Sequence, residues 1–86
     1  MYMPRVIDAK YLHDYVIHIV FSNGKEGIID LKPFIGKGVF EPLTDQTYFK
    51  KIFVDGWTIS WPNGADIAPE TLYDLAEKAG NMVNEE

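Results

Sequence analysis

Few side chains in this chain can do chemistry, and their spacing limits what they can do. His13 and His18 are the two histidines, five residues apart, and no H-x-H or H-x-x-x-H pair exists. Across a turn and into an extended strand that spacing puts them about 15 Å apart. Zinc or iron needs nitrogen and carboxylate ligands that converge. There is no cysteine, so disulfides, thiolate chemistry and cysteine-based zinc sites are excluded too. No metal and no cofactor is expected, and His18 reads as a half-buried sheet residue. Asp30 and Asp66 fall where regular segments end, and paired carboxylates can hydrolyse glycosides. That chemistry also needs a cleft, for which 86 residues offer little volume. Capping and turn-forming roles are the expectation for both. Ser22 and Ser60 lie in no G-x-S-x-G context. Gly36-Lys37-Gly38 lacks the length and the Lys-Ser/Thr of a phosphate loop. No catalytic constellation emerges.

Aromatic residues remain, and with them one loop. Tyr48, Trp57, Trp61 and Tyr73 are many for so small a domain, and any that stay exposed together would mark a binding face. The stretch WPNGADIAPETL, Trp61 to Leu72, combines an aromatic, two prolines, a turn dipeptide and an acid. Asp30, Trp61, Asn63, Asp66 and Tyr73 are the candidate binding rim. The structural expectation for the loop is a strand-to-helix junction. Trp61 ends a strand and is at least partly buried, Pro62 stops the ladder, and Asn63-Gly64 turns the chain. Asp66 then accepts from free N–H groups at the helix start, and Pro69 opens the helix.

The elements that position these residues follow from patterning. Arg5 to Leu12 has strand character, and His13-Asp14 reads as a turn. Tyr15 to Phe21 is β-branched and aromatic, with Tyr15, Ile17, Ile19 and Phe21 on one face. Its other face, Val16, His18, Val20 and Ser22, is mixed, which predicts a central strand with one side only partly covered. Asn23-Gly24 predicts a type I′ hairpin turn, with Lys25 to Leu31 returning. LKPFIGKGVFEPL is too rich in Pro and Gly for a long element and too apolar for a free loop. It reads as a short helical turn after Asp30 followed by a packed irregular crossing. Asp45 caps a short helix, Gln46 to Lys51. Asp55-Gly56 predicts a second type I′ hairpin, with Trp57, Ile59 and Trp61 alternating onto one face. Leu72, Leu75, Ala76 and Ala79 keep helical spacing, and Gly80-Asn81 is a candidate C-cap. The expected fold is α+β and two-layered. An antiparallel sheet of four or five strands comes from two hairpins, with a C-terminal helix and a short middle helix, all in one domain over residues 1–86.

Charge narrows the partners. Residues 1–65 balance seven basic against seven acidic side chains, and residues 66–86 set Lys78 against six acids, which carries the whole net charge of −5. A chain without a basic excess lacks the means to neutralise phosphates. The acidic segment suits a solvated helix face or a basic protein partner. No signal peptide or apolar run of membrane-spanning length is present, so a soluble, cytoplasmic protein is expected.

Six segments in order, P-R-V, F-S-N-G-K, I-D-L-K-P-F, G-V-F-E-P-L, Y-F-K-K-I and W-P-N-G-A-D-I-A-P-E-T-L, resemble a small bacterial domain-of-unknown-function family, number 2442. The resemblance runs from Pro4 to about Tyr73. It implies a small α+β domain and supplies no catalytic residue. Some members carry a helix-turn-helix DNA-binding domain after this one, and no such unit fits after Gly80 here. Others stand alone, often encoded beside a second small protein, which implies an antitoxin-like or adaptor role with a protein partner. The expected function is a non-enzymatic protein-interaction module, with homo-oligomers allowed. The alternative is a small-ligand-binding regulatory domain.

With no basic excess in residues 1–65 and −5 beyond, the chain is expected not to shift duplex DNA in a gel at physiological salt. Micromolar retention under those conditions contradicts the charge argument.

Overall fold

Alternation of β-branched and aromatic residues makes Val16–Phe21 the centre of the fold. In a computed structural model, which describes residues 4–84 and side chains as far as Lys78, this strand is β2. It is flanked antiparallel by β1 (Val6–His13) and β3 (Glu26–Asp30). Ile17, Ile19 and Phe21 point inward and are fully buried. Val16, His18 and Val20 point outward and are half-buried. The expected central, one-side-covered strand is therefore what forms.

The turn that joins β2 to β3 differs from the expected type I′. Gly24 has φ 92°, but Asn23 does not have positive φ. The Gly24 N–H donates to the Phe21 carbonyl at 2.9 Å, and the Phe21 N–H donates to the Lys25 carbonyl at 2.8 Å. This is a three-residue loop, Ser22-Asn23-Gly24, whose last residue is left-handed. Asn23 Oδ1 accepts from the Lys25 N–H at 3.0 Å, so the asparagine acts through its side chain and leaves the left-handed position to glycine.

Six strands form rather than four or five, and they divide into two sheets. The second sheet is β4 (Phe53–Asp55), β5 (Thr58–Ser60) and β6 (Asp66–Ile67), again antiparallel in sequence order. The β4–β5 turn also departs from expectation. Asp55 pairs with Thr58, so Gly56 and Trp57 are the loop residues. Gly56 has φ 68° while Trp57 is not left-handed, the signature of a type II′ turn. Trp57 is thereby thrown off the sheet and is 68% exposed, whereas Ile59 and Trp61 are buried. Ser60, expected on an open face, is buried as well.

The crossing between the sheets is largely 3-10 helix. One turn, Lys32–Phe34, follows Asp30 and a longer one spans Gly38–Thr44. Asp45 then caps α1 (Gln46–Phe49) by accepting from the Thr47 N–H at 3.0 Å, as the sequence predicts. Helix α2 runs Pro69–Asn84. It continues through Gly80-Asn81, so that pair does not end it.

Helix α2 lies across β3 on the inner side of the first sheet, and Leu72 and Ala76 are its fully buried residues. The closest approach is at Gly27, where a Cβ would stand 3.2 Å from both the Cβ and the carbonyl oxygen of Ala76. Backbone cannot yield as a flexible side chain can. Gly27→Val is therefore expected to lower stability by about 2 kcal/mol through overpacking, measured by urea unfolding. A loss within experimental error would mean that α2 is not seated on β3 as described.

Candidate functional site

The five residues of the candidate rim sit in five separate bonding arrangements. Asp30 is exposed at the end of β3, and its Oδ1 accepts from the Lys32 N–H at 2.9 Å. This fixes the chain as it leaves the sheet and starts the first 3-10 turn. Trp61 does not reach the surface. It is 1% exposed, its Nε1 donates to the Phe49 carbonyl at 3.0 Å, and its ring lies 5.6 Å from Phe49 and 6.4 Å from Phe40. The expected burial is thus complete, and Trp61 is core rather than rim.

Asn63 is exposed but engaged at both ends. Its Oδ1 accepts from the Ala65 N–H at 3.1 Å, and its Nδ2 donates to the Val39 carbonyl at 3.0 Å. The first contact shapes the turn and the second ties it to the long 3-10 segment. Tyr73 is half-buried on α2. Its hydroxyl accepts from Asn23 Nδ2 at 3.0 Å, its ring meets Phe21 edge-on at 5.0 Å, and Lys25 Nζ lies 5.6 Å from its centroid. Lys25 also reaches Glu77 at 3.5 Å. Tyr73 is thus the contact by which α2 holds the β2–β3 loop.

Asp66 is not a cap. It is an exposed strand residue paired with Ser60, and among the described residues its carboxylate accepts no hydrogen bond from the helix start. The N-cap position falls to Ala68, whose carbonyl accepts from the N–H groups of Thr71 and Leu72 at 3.1 Å. Pro69 opens the helix as expected.

The WPNGA stretch proves to be a hairpin, and its geometry repeats that of FSNGK. The Gly64 N–H donates to the Trp61 carbonyl and the Trp61 N–H to the Ala65 carbonyl, both at 2.9 Å. Gly64 has φ 90°, beside 92° at Gly24. Both loops therefore run aromatic, residue, Asn, Gly, with the asparagine oxygen accepting from the backbone two residues on. Asp30 and Asp45 use the same two-residue reach. Four of the short polar side chains near loops are thus engaged in shaping the backbone.

His13 and His18 stay apart. His13 meets Asp14 at 3.0 Å, and His18 meets Glu26 at 2.7 Å on the outward face of the first sheet. Among the described residues no three of His, Asp and Glu are grouped to hold a metal ion. No described helix is long and apolar enough to cross a membrane.

Pattern reading missed the surface that does gather side chains. Trp57, Phe53 and Val54, on the β4–β5 hairpin, are 68%, 43% and 36% exposed. The Val6 N–H donates to the Trp57 carbonyl at 2.9 Å, which brings the start of β1 and the 50% exposed Ile7 to the same junction. The available signal was the turn type, since a Gly-X loop ejects the residue after glycine from the strand alternation.

These features define a small α+β domain whose loop polar groups serve the fold and whose apolar surface lies on a hairpin tip. Residues 6–78 match the family described as Protein of unknown function (DUF2442), and the chain belongs to that family. No curated protein and no solved structure matches it.

The two asparagine roles separate from the aspartate in a stability measurement. Asn63→Ala loses two hydrogen bonds to backbone and is expected to cost about 1–2 kcal/mol. Asp66→Ala, at an exposed strand position, is expected to stay within about 0.5 kcal/mol of the parent. Thermal melts of the two variants decide it, and a reversed order contradicts the turn and strand assignments.

Proposed function

We propose that this domain is a non-enzymatic protein-interaction module. The observation that carries the reading is the hairpin tip with Trp57, Phe53 and Val54 exposed together beside Ile7. Aromatic side chains concentrated at the surface are what protein interfaces enrich, and tryptophan most often anchors them. Trp57 also stands on a tight two-residue loop, so little conformational freedom is lost when a partner closes over it. The engagement of Asp30 and Asn63 in turn hydrogen bonds supports the same reading, because it withdraws two of the polar groups a ligand cleft would have used.

Within that class, the role proposed is an antitoxin-like or regulatory adaptor, in which a small acidic domain holds a second protein. Its support is the net charge of −5, which favours basic partners and disfavours nucleic acid. We propose a cytoplasmic location for the same complex.

The test is Trp57→Ser on the tagged chain expressed in its native host. The substitution removes an exposed side chain and is expected to leave the melting temperature unchanged. A stoichiometric partner that co-elutes with the parent chain is expected to be lost. Retention of that partner by a folded Trp57→Ser chain contradicts the role given to the hairpin tip.

A further inference from the structure

The first sheet has a second face that no element covers. Outward positions follow from the register, which aligns Asp8 with Val20 and Glu26, and Lys10 with His18 and Ile28. No outward residue on these strands is buried, and Ile28 is 51% exposed. The His18–Glu26 contact at 2.7 Å confirms that neighbouring strands present their side chains to this side. Helix α2 occupies the opposite side, against Gly27 and Ala76.

We propose that this face docks a short basic amphipathic helix of a partner protein. The proposal rests on the reading of the domain as an interaction module, and adds a second surface and the chemistry of what it takes. Two properties point to that occupant. The first is shape. Val16 and Val20 lie four residues apart on one strand, so with Ile28 they form an apolar spine about 13 Å long. That length matches roughly nine residues of helix, enough for apolar anchors at i, i+3 or i+4, and i+7. Adjacent strands about 4.8 Å apart give the face a width close to that of one helix.

The second property is charge. Asp8 and Glu26 flank the Val20 end of the spine, and Asp30 pairs with Val16 at the other. Against them stands Lys10, so with neutral His18 these groups sum to 1 − 3 = −2. Two copies of this face would set like charge against like charge, which disfavours self-association here. A helix with an apolar stripe bordered by Lys or Arg satisfies both the spine and its acidic ends. An acidic or neutral helix satisfies only the spine. Nucleic acid satisfies neither.

The experiment is amide NMR of the full chain at physiological salt. The probe is a designed helical peptide of roughly 18 residues, long enough to hold helix, with Leu on one face and Lys on the other. A Leu–Glu counterpart serves as control. The Leu–Lys peptide is expected to shift the amides of Val16, Val20 and Ile28, and the Leu–Glu peptide to leave them in place. Ile28→Glu, at an exposed position, is expected to weaken the Leu–Lys peptide by about tenfold without changing the melting temperature. Asp8→Lys is expected to weaken the Leu–Lys peptide and to strengthen the Leu–Glu one. Trp57→Ser is expected to bind the Leu–Lys peptide as the parent does.

Shifts confined to the Trp57 hairpin would overturn this proposal and leave the interaction-module reading standing. Shifts confined to Asp74 and Glu77 on α2 would overturn it as well, since they would show attraction to charge without use of the face. Equal binding of both peptides, or no shift with either, also overturns it. The interaction-module reading fails separately, when folded Trp57→Ser keeps the native partner.

Discussion

Phe49 is the residue through which the two halves of the domain touch. Its ring meets Tyr11 at 6.0 Å and Tyr15 at 5.3 Å from the first sheet, both edge-on, and Trp61 at 5.6 Å from the end of the second. Its carbonyl accepts the Trp61 indole N–H. A buried indole needs an acceptor, and an unpaired one costs on the order of 1–3 kcal/mol. The last residue of a four-residue helix supplies it, since carbonyls at a helix end have no partner within the helix. Asp45 therefore matters beyond its own cap, because it fixes the turn of helix that aims Phe49 at both sheets.

This arrangement explains why six strands divide into two sheets. An irregular crossing of 3-10 turns separates β3 from β4, and it is anchored at its end, where the Tyr15 hydroxyl donates to the Thr44 carbonyl. The sheets then pack around Phe49, and β1 meets the second sheet's hairpin loop through the single backbone bond from Val6 to Trp57. Within the second sheet the Thr58 hydroxyl donates to the Ile67 carbonyl. That contact reinforces β6, a strand of two residues that has little ladder of its own.

Much of this was legible in the sequence where local chemistry decides the outcome. The alternation in Val16–Phe21, the Asp45 cap and Pro69 at the start of α2 each depend on neighbours a few residues away. The turn types were not legible, because Asn-Gly fits two loops. It fills both central positions of a type I′ turn, or the last two of a three-residue loop, and the choice depends on which flanking residues pair. In both Asn-Gly loops the aromatic residue two positions before the asparagine is buried, and that burial fixes the pairing. The likeness of FSNGK to WPNGA carried the clue to β6, but a two-residue strand leaves no periodicity to detect. The family match over residues 6–78 agrees with the resemblance seen in the motifs. The candidate rim was drawn from residue types that binding sites favour, and loops favour the same types.

That overlap has a physical basis. A domain with a long irregular crossing and tight hairpins has many backbone N–H groups outside ladders, and buried or half-buried ones need acceptors. Short Asn and Asp side chains reach two residues along the chain, and here they are taken up in that way at Asn23, Asp30, Asp45 and Asn63. Each one so used is held in a single rotamer with an oxygen already occupied, which leaves less for a ligand. Recognition then falls to surfaces whose side chains have no internal task. In this chain those are the hairpin tip, ejected by the Gly56-Trp57 turn, and the outward face of the first sheet, opposite the side on which α2 is seated.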